Sequence, residues 1–128
     1  MNRLKLTILL IFLSGNVLYS QDLLKDIASG FELGKAELIT AGMIEEVELI
    51  TPESEGLCSK DMAQKRLGKF FSTHKSKKFH LVHQGKSPSG LTYHIGELDT
   101  DNGEFRIYVL LSGKGAQKIS ELRIEEDD

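Results

Sequence analysis

The sequence predicts an α+β protein in which helices cover one face of an antiparallel sheet. Two segments, near the start and in the middle of the chain, carry apolar residues at three- and four-residue spacing, which is typical of amphipathic helices. From residue 79 onward, aromatic and β-branched residues recur at every second position, and turn-forming residues separate the runs. These runs indicate consecutive antiparallel strands. Their apolar face needs a cover, while the other face can meet water or a partner.

The first twenty residues have the features of an export signal. Arg3 and Lys5 give a basic start, residues 6–13 carry no charge, and Ser20 is a small residue before the expected cleavage. The apolar run is shorter than the roughly 20 residues that span a bilayer. We therefore expect a signal peptide over residues 1–20 and a single domain over residues 21–128. We expect no stable membrane span after cleavage and a secreted or periplasmic location.

The charge balance argues against nucleic acid as a partner. The net charge is −3, and removal of residues 1–20 takes away Arg3 and Lys5 but no acidic side chain, which makes it −5. An acidic domain is repelled by phosphate backbones and by anionic membrane surfaces. Cys58 is the single cysteine, so the domain cannot form an internal disulfide.

The first helix is predicted from Asp22 to about Ala36. Its apolar stripe consists of Leu23, Leu24, Ile27, Phe31 and Leu38. Gly30 and Gly34 weaken it, and they either let another backbone approach closely or, at Gly34, end the helix. A short helical turn over residues 35–41 follows.

A strand and a second long helix come next. Residues 44–51 alternate and end at Pro52, which indicates a strand, and residues 51–56 are polar and indicate a loop. Ser59 is the expected N-cap of a helix that runs to about Thr73. The apolar stripe of this helix consists of Met62, Ala63, Leu67, Phe70 and Phe71. We expect this helix to cover the apolar face of the sheet.

Four strands complete the predicted domain. They are placed at residues 79–83, 91–95, 105–111 and 118–125. Odd-numbered positions of the first three are mostly apolar, so the odd residues are expected to face the helices and the even residues to face outward. The expected inward set includes Leu81, Tyr93, Ile95 and Ile107.

The order of these elements resembles the nuclear transport factor 2-like superfamily, a cystatin-like α+β fold. The resemblance rests on packing and turn positions across residues 22–125. These are Ser59-Lys60, Phe70-Phe71, His83-Gln84-Gly85, Tyr93-His94-Ile95-Gly96 and Phe105-Arg106-Ile107-Tyr108. Within that superfamily, the chain is most similar to small secreted bacterial domains of unknown function. It implies a curved antiparallel sheet wrapped around the N-terminal and middle helices to form a cone. It also implies a cone interior that can hold a ligand and an outer sheet face that often forms dimers.

Four residues are candidates for a ligand site inside the cone. His83, Tyr93 and Glu97 share the inward parity, and Phe70 lies on the covering helix. His83 and Tyr93 are expected at the cone mouth, in contact with a small apolar ligand. Enzymes of the superfamily place carboxylates, Tyr or His there, and proton abstraction needs a base and an oxyanion donor. His83, Tyr93 and Glu97 are the candidates for such roles. For His83 we favour a hydrogen-bonded position that caps the core, and for Tyr93 we favour a core position with its hydroxyl at the rim.

The outer face is the candidate interface. Its predicted members are His80, Val82, His94, Tyr108 and Leu110, with Leu98 on the same parity. A register with residue 80 opposite 94, and 94 opposite 108, would align His80, His94 and Tyr108 across three strands. The neighbouring side chains are poor metal ligands, so we predict no metal and no cofactor. We favour a homodimer interface that is rich in imidazole and aromatic groups.

Taken together, the sequence predicts an exported, non-catalytic binding or dimerisation module. The alternative is an isomerase- or dehydratase-type enzyme with a general base in the cone. A third possibility is an accessory subunit whose outer face meets another envelope protein.

Overall fold

The structure, a computed structural model, describes residues 22–127. The predicted signal peptide over residues 1–20 lies outside the described residues. Helix α1 covers residues 22–33, α2 is Ala36–Thr40 and α3 is Lys60–Thr73. The strands are β1 (Met43–Ile50), β2 (Glu55–Ser59), β3 (Ser76–Lys86), β4 (Thr92–Thr100), β5 (Gly103–Ser112) and β6 (Lys118–Glu126). Among residues 22–127, no helix has both the length and the apolar character needed to cross a bilayer.

The strands form one curved sheet in the order β2-β1-β6-β5-β4-β3. All neighbours are antiparallel except β1 and β6, which are parallel. The predicted succession of four antiparallel strands after the long helix is confirmed. Strand β2 was not predicted, because its five residues include Gly56 and an exposed Leu57 and lack an alternating apolar pattern.

The residues predicted to begin and end the helices are found in those roles. Ser59 caps α3, because its Oγ accepts a hydrogen bond from the Met62 amide at 3.2 Å. Gly34 has a φ of 68° and ends α1, as one of the two predicted alternatives requires. Gly30 also has a packing role, since a Cβ atom there would lie 2.5 Å from Ile39 Cγ1.

The core lies between α1, α3 and one face of the sheet. Phe70 of α3 packs edge-to-face on Phe105 of β5 with ring centroids 5.0 Å apart, and Phe31 of α1 stacks on Phe79 of β3 at 5.0 Å. Helix α3 therefore covers the sheet as predicted. The buried side chains of β5 are Phe105, Ile107, Val109 and Leu111, which confirms the predicted odd face of this strand.

The end of α3 is tied to the turn between β4 and β5. The His74 ring lies between Phe70 and Phe105, and its Nδ1 donates to Asn102 Oδ1 at 2.7 Å. The Asn102 amide nitrogen donates to the Thr73 carbonyl oxygen at 3.0 Å, which leaves Oδ1 as the acceptor for His74. This contact fixes the covering helix relative to the hairpin that carries the candidate site.

The predicted orientation of β4 is wrong. Its even residues face the helices, and Leu98 is fully buried rather than outward. The reason is the register, because a two-residue turn pairs Thr100 with Gly103 and therefore pairs Leu98 with Phe105. Each odd residue of β5 thus shares a face with an even residue of β4. Ile95 accordingly lies on the outer face opposite Tyr108.

A β-bulge changes the orientation of β3. The register shifts between Leu81 and His83, so Val82 is the extra residue. Before the bulge, Phe79 pairs with Leu98 and is buried, whereas Leu81 is 36% exposed rather than part of the core. After the bulge, His83 pairs with Ile95 and Gln84 pairs with His94. Without the extra residue, the register of Phe79 would place His83 opposite His94.

Candidate functional site

Two tyrosines on the middle strands dominate the outer face of the sheet. Tyr93 of β4 and Tyr108 of β5 are both half-buried, and their rings stack with centroids 5.4 Å apart and an interplanar angle of 25°. The guanidinium carbon of Arg123 on β6 lies 5.9 Å from the centre of the Tyr108 ring, within the range of a cation–π contact. On β3, His83 Nε2 lies 3.5 Å from the Tyr93 hydroxyl. We call His83, Tyr93, Tyr108 and Arg123 the tyrosine stripe.

Gly85 gives the Tyr93 ring its place on the sheet. Gly85 pairs with Tyr93, and a Cβ atom on Gly85 would lie 2.6 Å from the tyrosine hydroxyl oxygen. The ring therefore lies across the backbone of the edge strand, as aromatic residues do when they cover a glycine in a neighbouring strand. This position brings the Tyr93 hydroxyl toward His83.

Charged side chains surround the tyrosine stripe. Arg123 Nε donates to Glu121 Oε2 at 2.8 Å, and Glu125 lies 4.0 Å from the same guanidinium group. The hydrogen bond and the charge of Glu121 raise the pKa of Arg123. His80 Nε2 and Glu97 Oε2 are 3.5 Å apart at the other side of the stripe. Burial, and then the charge of Glu121, raise the pKa of Tyr108, so this tyrosine faces the surface as a neutral phenol at neutral pH.

A shallow cavity of about 390 Å³ lies beside the stripe. It is lined by Ile95, Arg106, Tyr108, Glu121, Arg123 and Glu125. The floor is apolar and aromatic, while the rim carries both signs of charge. Such a surface fits the partly apolar centre and polar border of a protein interface.

The opposite face carries a second cavity, at the open end of the sheet beneath α1. This groove has a volume of about 300 Å³ and is lined by Leu24, Leu81, Val82, His83, Gln84 and His94, and we call it the His94 groove. His94 is only 5% exposed, and burial lowers the pKa of its imidazole. His94 is therefore neutral at pH 7.

The structure separates the residues predicted for the ligand site. Tyr93 and Glu97 lie on the outer face, because β4 has the opposite orientation to the predicted one. Phe70 is 1% exposed within the core and lines neither cavity. His83 lies on the edge strand, where it reaches Tyr93 and also lines the His94 groove.

The predicted interface set is divided in the same way. His80, Tyr108 and Leu110 lie on the outer face, whereas His94 faces the helices. Val82 occupies the bulge and lines the His94 groove. The predicted alignment of His80, His94 and Tyr108 does not occur, since His80 pairs with Glu97 and His94 pairs with Val109. Within residues 22–127, no group of three or more His, Cys, Asp or Glu is arranged to hold a metal ion.

Sequence reasoning missed the contribution of β6. Glu121, Arg123 and Glu125 alternate with the buried Leu122 and Ile124, so the last strand presents a charged row to the outer face. This alternation of charged and apolar residues is visible in the sequence. If the outward-facing positions of β6 had been assigned from it, Arg123 would have joined the predicted interface set.

The curved six-stranded sheet, covered on one face by helices, has the fold of solved structures described as nuclear transport factor 2-like or cystatin-like. The protein belongs to the DUF4783 family, described as a domain of unknown function, which matches residues 24–125. This finding agrees with the resemblance inferred from the sequence.

Solved structures of the family are similar to this chain. A DUF4783 protein from Bacteroides uniformis is 28% identical with a TM-score of 0.73, over 81% of this chain and 96% of that one. A DUF4783 protein from Bacteroides ovatus is 26% identical with a TM-score of 0.71, over 80% and 93% of the two chains. A nuclear transport factor 2-like protein of unknown function from Cytophaga hutchinsonii is 13% identical, has a TM-score of 0.57 and covers 84% and 88%; it supports the fold alone. No curated protein matches the chain.

Proposed function

We propose that the protein is an exported, non-catalytic interaction module whose outer sheet face binds a second copy of the same chain. The observation that carries this proposal is the tyrosine stripe. Two stacked aromatic rings lie half-exposed on the central strands, and an arginine extends the row to β6. Tyrosine and arginine are the side chains that most often provide the binding energy of protein interfaces.

The apolar part of the outer face continues beyond the rings. Ile95 lies opposite Tyr108, and Leu110 lies opposite Tyr93, so each ring has an aliphatic neighbour on the adjoining strand. All four side chains are only half-buried. A rigid sheet presents them without any loop to order on binding, which lowers the entropic cost of association.

The charges of this face favour a second copy as the partner. A two-fold contact brings one surface against itself, so the surface must offer complementary groups within a single patch. Arg106 and Arg123 lie beside Glu97, Glu121 and Glu125. Both signs are therefore available for ion pairs across a two-fold axis.

Replacement of Tyr108 by glutamate should prevent this self-association. The added carboxylate would lie beside Glu121 and remove the stacking partner of Tyr93. In sedimentation velocity runs over about 1–100 µM, we expect the wild type to shift from monomer toward dimer as its concentration rises. Tyr108→Glu should stay monomeric throughout, with an unchanged circular dichroism spectrum. Met62→Glu, on the exposed side of α3, is the matched control and should sediment like the wild type. A wild-type monomer throughout this range, or a dimer that Tyr108→Glu leaves intact, would contradict the proposal.

The His94 groove supports a second binding role. We also propose that it holds a small ligand, because a neutral imidazole forms its base and aliphatic side chains form its walls. An isomerase or dehydratase would need a base and an oxyanion donor in one cavity. Of the residues predicted for these roles, His83 lines the groove, whereas Tyr93 and Glu97 lie on the outer face. The arrangement thus favours binding over catalysis.

A further inference from the structure

We infer that the His94 groove binds small aliphatic carboxylates, and that binding draws a proton onto His94. This inference rests on the proposed ligand-binding role of the groove. It adds the chemical class of the ligand and a dependence on pH.

The walls of the groove require an aliphatic ligand. Leu24 comes from α1, while Leu81 and Val82 come from β3 on either side of the bulge. Leu81 is 36% exposed and Val82 is 45% exposed, so both side chains leave apolar area in contact with water. A hydrocarbon chain laid against them would remove this area from water at a gain of about 25 cal/mol per Å². The volume of about 300 Å³ suits a small molecule with a short hydrocarbon chain.

The base of the groove requires a polar group on that ligand. His94 is one of the lining residues, so its imidazole is the ring that a polar group of the ligand would meet. The two ring nitrogens of a neutral imidazole provide one donor and one acceptor. Gln84, paired with His94, adds an amide beside it.

The charge around this polar end selects an anion. Lys86 pairs with Thr92 and donates to its hydroxyl at 3.0 Å, about 7 Å along the strands from the pair of Gln84 and His94 on the same face. None of the lining residues within the described part of the chain is acidic. A carboxylate at His94 would therefore find an amide donor, an imidazole and a nearby ammonium group.

Within residues 22–127, three neighbouring elements contribute groups that face His94. Strand β3 contributes His83, Gln84 and Lys86, strand β5 contributes the apolar Val109, and α1 contributes Leu24. Burial is the cause that lowers the pKa of His94, so the free groove holds a neutral ring at neutral pH. A bound carboxylate would favour the charged ring, and the proton would come from solvent. By linkage, ligand affinity must then rise as the pH falls.

Calorimetric titration of the full protein with three eight-carbon probes tests the inference. The probes are octanoate, octan-1-ol and octylammonium, at about pH 5.5 and about pH 8. We expect octanoate to bind about tenfold more tightly at the lower pH and the other two to bind more weakly, with no such pH effect. In NMR titrations, octanoate should raise the pKa of the His94 imidazole.

Two variants test the roles of His94 and of the groove wall. His94→Gln should remove the pH effect on octanoate affinity. If that variant fails to fold, Val82→Asp places an acid at an exposed wall position and should weaken octanoate binding about tenfold. Leu57→Asp, exposed on β2, is its control. Equal binding of octanoate and octan-1-ol at both pH values would overturn the carboxylate assignment while leaving the ligand role intact. Absence of binding by all three probes would overturn both.

Discussion

Phe70→Ala is expected to lower the free energy of unfolding by about 3–5 kcal/mol. The Phe70 ring is 1% exposed and contacts Phe71, Phe105 and His74, so its loss leaves a cavity between α3 and the sheet. Domains of this size have a total stability of roughly 5–15 kcal/mol. Urea denaturation followed by circular dichroism measures the change.

Met62→Ala on the same helix is the matched control. Its side chain is 43% exposed, so we expect a change of about 0.5 kcal/mol or less. A loss below about 1 kcal/mol for Phe70→Ala would mean that the ring is not enclosed, and would contradict the placement of α3 over β5.

Gly96→Ala is the second large effect, with an expected loss of about 1–3 kcal/mol. A Cβ atom at Gly96 would lie 2.5 Å from Phe79 Cζ and 3.2 Å from the His80 carbonyl oxygen. The Phe79 ring cannot move aside freely, because it is buried and stacks on Phe31. The added methyl group must therefore displace either the ring or the edge strand.

The same substitution at Gly68 should have the opposite sign. Gly68 lies on the exposed side of α3, and a Cβ atom there would meet nothing within 4 Å. Alanine should stabilise the helix by about 0.5–1 kcal/mol. If both variants lost or gained stability alike in urea denaturation, the inward orientation of Gly96 would be refuted.

The sequence was sufficient to predict every element except β2, but not to predict which face of each strand is buried. Periods of 3.6 and 2 residues place α1, α3 and the late strands, because burial on one face leaves a regular apolar pattern. In β4 that pattern is ambiguous, since Tyr93 and Ile95 lie on one face and Leu98 on the other. Register decides between them, and the two-residue turn between Thr100 and Gly103 sets the register.

The bulge at Val82 had no sequence signal. Neither glycine nor proline marks it, and its effect is to move His83 from the helix side to the outer side. The candidate sites depend on this one residue. With a regular β3, His83 would lie opposite His94 rather than beside Tyr93, and the tyrosine stripe would end at β4.

The most direct test of the account is an NMR dilution series of the isotope-labelled protein. The claim is that the outer face meets a second copy. On dilution from about 500 µM to about 10 µM, we expect chemical-shift changes at Tyr93, Ile95, Tyr108 and Arg123. Residues on the exposed side of α3, such as Met62, should not shift. Constant spectra across the series, or changes confined to the helix side, would contradict the account.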